Sequence, residues 1–220
     1  NIDNEETANA KPILGGAKVY EHTFDGTTLY SNSQTLTAGG KCGDNLYWTV
    51  SNNTLTIFGT GAMYDYKGTS SNKAPWRSLN PAPTSLVLEE GITHIGDYAF
   101  YDCSGLTGSL TIPNSVTTIG TSAFENCSSF TGNLTIPNSV TSIGNLAFYE
   151  CSGFNGSLTI PNSVTYIGKT AFRDCSGFTG DLTIGNSVTS IEELTFYNCT
   201  GFSGSLTIGN SVTTIGQNAF

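Results

Sequence analysis

The chain has 220 residues, with 8 Lys and Arg against 17 Asp and Glu and a formal net charge of −9. A surface of that sign repels nucleic-acid phosphates, and no basic stripe with interleaved aromatics offsets it. Apolar residues never run on for the ~18 positions of a membrane-spanning helix, so no stretch is expected to cross a bilayer in that form.

From the N-terminus, Asn1 to Gly16 are polar, include Asp3, Glu5 and Glu6, and start without Met. They read as a mature N-terminus, and residues 1–30 as a partly disordered tail or spacer. Residues 31–84 read as a β-rich cap. Leu46, Trp48 and Val50 alternate with polar residues, Ser51-Asn52-Asn53 makes a turn, and Leu55 and Ile57 alternate again, the pattern of a hairpin. Trp48, Met63 and Trp76 are large enough to cover the open edge of the first repeat.

Residues 85–220 repeat themselves. The segment from Leu110 to Asn133 returns almost letter for letter at Leu134 and Leu158, and more loosely at Leu86, Leu182 and Leu206, always 24 residues on. A period of that size marks a solenoid, in which each coil contacts only its neighbours. Five full coils and one truncated coil are expected. Leu110, Ile112, Val116, Ile119, Ala123, Phe124, Cys127 and Phe130 hold their character from coil to coil and form the predicted core. Ser109-Leu110-Thr111-Ile112 alternates like a half-buried strand and is stopped by Pro113-Asn114. Val116 to Ile119 reads as a second short extended piece, and the spacing of Ala123, Phe124 and Cys127 predicts one helical or 3₁₀ turn. Equivalent strands then pair in parallel.

Cys103, Cys127, Cys151, Cys175 and Cys199 fall once per coil in one register. A column of thiols cannot pair off completely, so these are read as buried, reduced apolar fillers that donate S–H to carbonyls. The state of Cys42 is left open. The two histidines, His22 and His94, stand apart, and no C-x-x-C, G-x-S-x-G, H-E-x-x-H or phosphate loop occurs. No enzymatic activity, metal or cofactor is expected.

The repeats resemble the BspA-like leucine-rich repeats, whose pattern I-P-x-x-V-x-x-I-G-x-x-A-F-x-x-C is met by Pro113, Val116, Ile119, Gly120, Ala123, Phe124 and Cys127. The segment from Cys42 to Tyr66 is similar to the stretch that often precedes such repeats. The resemblance implies a β-rich leucine-rich-repeat solenoid on a bacterial protein, secreted or displayed at the cell surface with any signal peptide removed. It also implies adhesion or another interaction with a protein, such as a host matrix or cell-surface protein. Positions that vary between coils are the candidates for contact: Tyr98, Tyr101, Tyr149, Tyr166, Lys169, Arg173 and Tyr197, with His94, Glu125, Leu146 and Leu194 also variable. Two other readings stand beside it. The near identity of coils two to four fits a spacer that displays another domain, and the outward Ser109, Thr111, Thr135, Ser157, Thr159, Thr183, Ser205 and Thr207 resemble the hydroxyl array of an ice-binding face. The apolar sixth coil, Leu206 to Phe220, is expected to favour end-to-end self-association.

Overall fold

The computed structural model describes residues 11–12, 18–19, 29–31, 34–36, 38–69 and 71–220. Most of the expected N-terminal tail, with His22, lies outside them. Ahead of residue 38 the chain forms a pair of short antiparallel ribbons, Lys11–Pro12 with Lys18–Val19 and Leu29–Ser31 with Gln34–Leu36.

The alternation of Leu46, Trp48 and Val50 builds the strand Leu46–Ser51, which pairs antiparallel with Thr54–Gly59. Asn52 and Asn53, both at positive φ (49° and 60°), make the two-residue turn, a backbone that Asn tolerates better than most residues. Ala38–Lys41 adds to the outer edge of the hairpin. On its other edge Thr54–Gly59 takes Ser85–Leu88 in parallel register, Thr54 opposite Ser85 through Ile57 opposite Leu88. Gly61–Ala62 pairs in parallel with Ile92–Ile95. The hairpin thus supplies the first rung on which the repeats stack.

From there the coils pair with themselves. Ile92–Ile95, Thr118–Ile119, Ser142–Ile143 and Tyr166–Ile167 form one parallel ladder, and Leu158–Ile160, Leu182–Ile184 and Leu206–Ile208 form another. The strand expected at Leu110–Ile112 and Leu134–Ile136 keeps its inward Leu and Ile without joining that ladder, so the second sheet is confined to the last three coils.

The predicted helical turn takes a different form. Ala99 N–H, Tyr101 N–H and Cys103 N–H each donate to the carbonyl three residues back. Tyr98 and Asp102, at φ 54° and 56°, break any continuation into a helix. The same two registers are left-handed in the following coils, at Ser122 and Asn126, Leu146 and Glu150, Thr170 and Asp174, Leu194 and Asn198. This zigzag frees alternate N–H groups to reach the next coil: Tyr98, Phe100 and Asp102 donate to the carbonyls of Thr121, Ala123 and Glu125 at 2.9, 2.7 and 2.8 Å. A true helix would have spent those donors internally. Among the described residues the one helical element is the 3₁₀ turn Pro75–Ser78, and none is long and apolar enough to cross a membrane.

The core is two columns of rings. Trp76, Phe100, Phe124, Phe148, Phe172, Phe196 and Phe220 stack at centroid distances between 5.1 and 5.7 Å. Phe130, Phe154, Phe178 and Phe202 stack beside them at 5.3 to 6.2 Å. Trp76 lies 24 residues before Phe100, so the phenylalanine register starts inside the cap. Its indole N–H donates to the Ala99 carbonyl at 2.8 Å, and Trp48 and Tyr66 pack edge-on against it. Glycine is required where coils nearly touch: a Cβ on Gly144 would lie 2.7 Å from the Gly120 carbonyl carbon. In the sixth coil Leu206, Ile215 and Phe220 are exposed.

The cysteine column forms as expected. Cys127, Cys151, Cys175 and Cys199 donate S–H to the carbonyls of Phe100, Phe124, Phe148 and Phe172, each at 3.0 Å, and all six cysteines are free thiols. Cys42 is buried like Cys127, Cys151 and Cys175, whereas Cys103 and Cys199, at the two ends of the column, are half-buried. Desolvation lifts Cys42, Cys103 and Cys199 to about 12 and holds Cys127, Cys151 and Cys175 well above the usual 9.0. Because the folded values exceed the unfolded one, this contribution to stability is complete below pH 9.0 and is lost as pH rises through the folded values. The loss is about 1.4 kcal/mol per pH unit for each thiol. Denaturant midpoints should therefore hold up to about pH 9 and fall from there toward about pH 12, less steeply when Cys127, Cys151 and Cys175 are all alanine. A thiol reagent at neutral pH should leave the native column unlabelled.

The left-handed registers generate a second expectation. Thr170 is β-branched and stands at φ 56°, a conformation that costs such residues about 1–2 kcal/mol. Thr170→Asn should raise the unfolding free energy by about 1 kcal/mol in chemical denaturation, with no change in far-UV circular dichroism.

Candidate functional site

The residue after each ring of the Trp76–Phe196 column cannot enter the core, because that ring already fills the interior, so it lies toward the outside of its turn. Equivalent residues one coil away fall beside it. The outcome is a surface column reading Arg77, Tyr101, Glu125, Tyr149, Arg173, Tyr197. The Arg77 guanidinium carbon lies 4.7 Å from the Tyr101 ring centroid. The Arg173 guanidinium sits between two rings, 5.5 Å from Tyr149 and 5.4 Å from Tyr197.

The next register along carries Asp102, Asn126, Glu150, Asp174 and Asn198. Arg173 Nε donates to Asp174 Oδ2 at 3.0 Å, Asn198 Nδ2 donates to Asp174 Oδ1 at 2.6 Å, and Arg77 pairs with Asp102 at 3.9 Å. Burial raises the pKa of Glu125, and the carboxylates of Glu150 and Asp102 add to the rise. A hydrogen bond to Glu150, then burial, pushes the Tyr149 phenol up to about 12. The column thus carries a tyrosine in alternate coils and is acidic along one edge.

The structure divides the predicted residues into three groups. Tyr149, Arg173 and Tyr197 are in direct contact. Tyr98 and Tyr101 pack edge to face at 5.6 Å near the cap, with Arg77 on the far side of Tyr101. Tyr166 and Lys169 form the third: the Tyr166 hydroxyl and the Lys169 backbone N–H both donate to Asn145 Oδ1, at 3.3 and 2.9 Å, and Lys169 Nζ pairs with Glu193 at 3.4 Å. Tyr166 and Tyr197 are 45% and 40% exposed, enough for each ring to meet another molecule. Arg77 is hard to find by sequence alone because Pro75-Trp76 disguises the Ala-Phe pair; its 24-residue distance from Tyr101 is the signal that reveals it. The outward hydroxyls are in register over Thr159, Thr183 and Thr207, three coils only.

The pattern "BspA type Leucine rich repeat region" matches residues 80–178 and 154–220 in six copies. The chain belongs to the BspA-type leucine-rich repeat family. None of the curated proteins matches it. Among solved structures it is similar to a leucine-rich repeat protein from Eubacterium ventriosum (22% identity, TM-score 0.54, covering 83% of this chain and 62% of that one). It is also similar to a leucine-rich repeat protein of T. pallidum (21%, TM-score 0.55, 80% and 85%). A third, a leucine-rich cell surface protein from Faecalibacterium prausnitzii, is 28% identical at TM-score 0.55, covering 82% of this chain and 51% of that chain. This BspA-type chain therefore shares its solenoid fold with bacterial repeat proteins, and it spans about half to two thirds of the length of two of them.

The stacked guanidinium generates a stability expectation. Two partly exposed cation–π contacts contribute about 0.5–1 kcal/mol each. Arg173→Ala should lower the unfolding free energy by about 1–2 kcal/mol, and Arg173→Lys should recover less than half of it in the same denaturation assay, because an ammonium cannot lie flat between two rings.

Proposed function

We propose that this chain is a non-enzymatic module of a secreted or surface-displayed bacterial protein, and that it binds a protein partner through the column Tyr101, Glu125, Tyr149, Arg173 and Tyr197. The observation that carries the reading is the contrast between its inside and its outside. Interior positions repeat almost unchanged, whereas this surface register changes residue at each coil and places three tyrosines and an arginine where contact energy concentrates in protein interfaces. The similar cell surface protein of Faecalibacterium prausnitzii supports the location. Burial of Tyr149 and Arg173 against each other fixes both before a partner arrives, which lowers the ordering cost of binding.

The carboxylates give the partner a chemistry. From Ser85 onward ten acids face only Lys169 and Arg173, and Arg173 is already matched by Asp174. A partner presenting lysine and arginine side chains complements Glu125 and Glu150 and is steered toward them at low salt.

Surface plasmon resonance against a panel of host matrix and cell-surface proteins tests this. A triple variant, Tyr149→Ala with Arg173→Ala and Tyr197→Ala, should weaken binding by at least about 30-fold. Undiminished affinity in the variant removes this face as the site. Absence of any ligand across the panel favours the spacer reading, which the near identity of coils two to four supports.

A further inference from the structure

Where the cap meets the first coils, the fold gathers three side chains that the repeat pattern does not explain. His94, Asp97 and Asp65 each offer one donor atom, and these lie within 4.8 Å of one another. Asp65 comes from the cap, while His94 and Asp97 come from the first coil.

Several features prepare these groups. His94 Nδ1 lies 2.7 Å from Thr118 Oγ1 on the next strand of the ladder, which fixes the ring plane. His94 Nε2 then faces Asp65 Oδ1 at 3.2 Å. The Asp97 backbone N–H holds Asp65 Oδ1 at 2.9 Å, and Asp97 Oδ1 accepts the Thr121 N–H at 2.6 Å. Each carboxylate is thereby oriented through one oxygen, and its second oxygen has no protein partner among the described residues. Without an ion, Nε2–H donates to Asp65 Oδ1 and Nδ1 accepts from the Thr118 hydroxyl; with Nδ1–H donated to Thr118 Oγ1 instead, the Nε2 lone pair is turned toward the carboxylates and available to a cation held between them.

We propose that Asp65, His94 and Asp97 bind a first-row divalent cation of the zinc type, and that the ion ties the cap to the solenoid. One imidazole and two carboxylates suit zinc, cobalt and nickel, whereas calcium and magnesium sites are built from oxygen. Metal–ligand distances of about 2.0–2.2 Å place tetrahedral ligand atoms about 3.4 Å apart. The His94–Asp65 edge, at 3.2 Å, is already close to that length. Asp65, with 63% of its side chain exposed, is free to adjust the remaining edges. Water completes the coordination. Other coils carry Thr118, Ser142 or Tyr166 at the register of His94, so the site occurs once, at the junction.

The test uses Zn²⁺ and Co²⁺ with the full chain in a His22→Ala background. Calorimetric titration should show one Zn²⁺ bound per chain, and Zn²⁺ at about 100 times its dissociation constant should raise Tm by several degrees. Co²⁺ should give visible d–d bands without the near-ultraviolet charge transfer of a thiolate ligand. His94→Thr, which installs the side chain that Thr118 carries at the same register, should weaken Zn²⁺ at least about tenfold while the metal-free Tm stays close to that of the parent; Asp65→Asn should do the same. Absence of binding at millimolar Zn²⁺, affinity unchanged in His94→Thr, or a thiolate band with Co²⁺ would each overturn the assignment.

Discussion

Each coil depends on the backbone of its neighbours, and that dependence shapes everything else. The turn that begins at Asp97 in the first coil, and its equivalents in the second to fifth coils, holds left-handed residues at two fixed registers so that alternate N–H groups reach the following coil. On the ladder side the direction reverses, with Thr117 and Gly120 donating to Thr93 and Ile95 of the preceding coil. A coil on its own would leave both sets unsatisfied. Stacking at this spacing obliges each side chain to meet its own copy, which selects flat rings, thiols and alanine inside and glycine at the closest approach.

This constraint also explains the cap. A first coil without a predecessor would expose donors, carbonyls and the face of Phe100. The hairpin strand Thr54–Gly59 supplies the missing backbone partner, and Trp76 supplies the missing ring. The larger indole suits the end position, because its N–H is satisfied by Ala99 and its second face meets Trp48 and Tyr66 instead of another phenylalanine.

Much of this architecture is legible in the sequence. Phe100 to Phe220 and Cys103 to Cys199 can be placed because a fixed period maps directly onto stacking, and the hairpin at Ser51-Asn52-Asn53 carries a turn signal that only local chemistry is needed to read. The turn from Thr121 to Cys127 is harder. Its apolar spacing imitates a helix, while Tyr98, Leu146 and Thr170 have no intrinsic preference for the left-handed backbone they adopt. Inter-coil hydrogen bonds, not local propensity, hold them there. The contact of Tyr149, Arg173 and Tyr197 follows from register alone, whereas the shared use of Asn145 by Tyr166 and Lys169 depends on where loops bend. Asp65 lies outside the repeat, so no alignment of coils brings it to His94.

The same separation of roles locates specificity in the molecule. An interior residue is bound by two copies of itself, so a change in one coil is opposed from both sides. The register after Ala-Phe escapes that rule: it holds Tyr101, Glu125, Tyr149, Arg173 and Tyr197 without disturbing the Phe column beneath. Its neighbours still constrain it electrostatically. An arginine at 173 is accommodated between two tyrosines and beside Asp174, whereas a carboxylate there would be a third beside Glu150 and Asp174. The column therefore varies in chemistry where the interior cannot, and its three tyrosines and its arginine are of the residue types from which protein interfaces draw most of their binding energy.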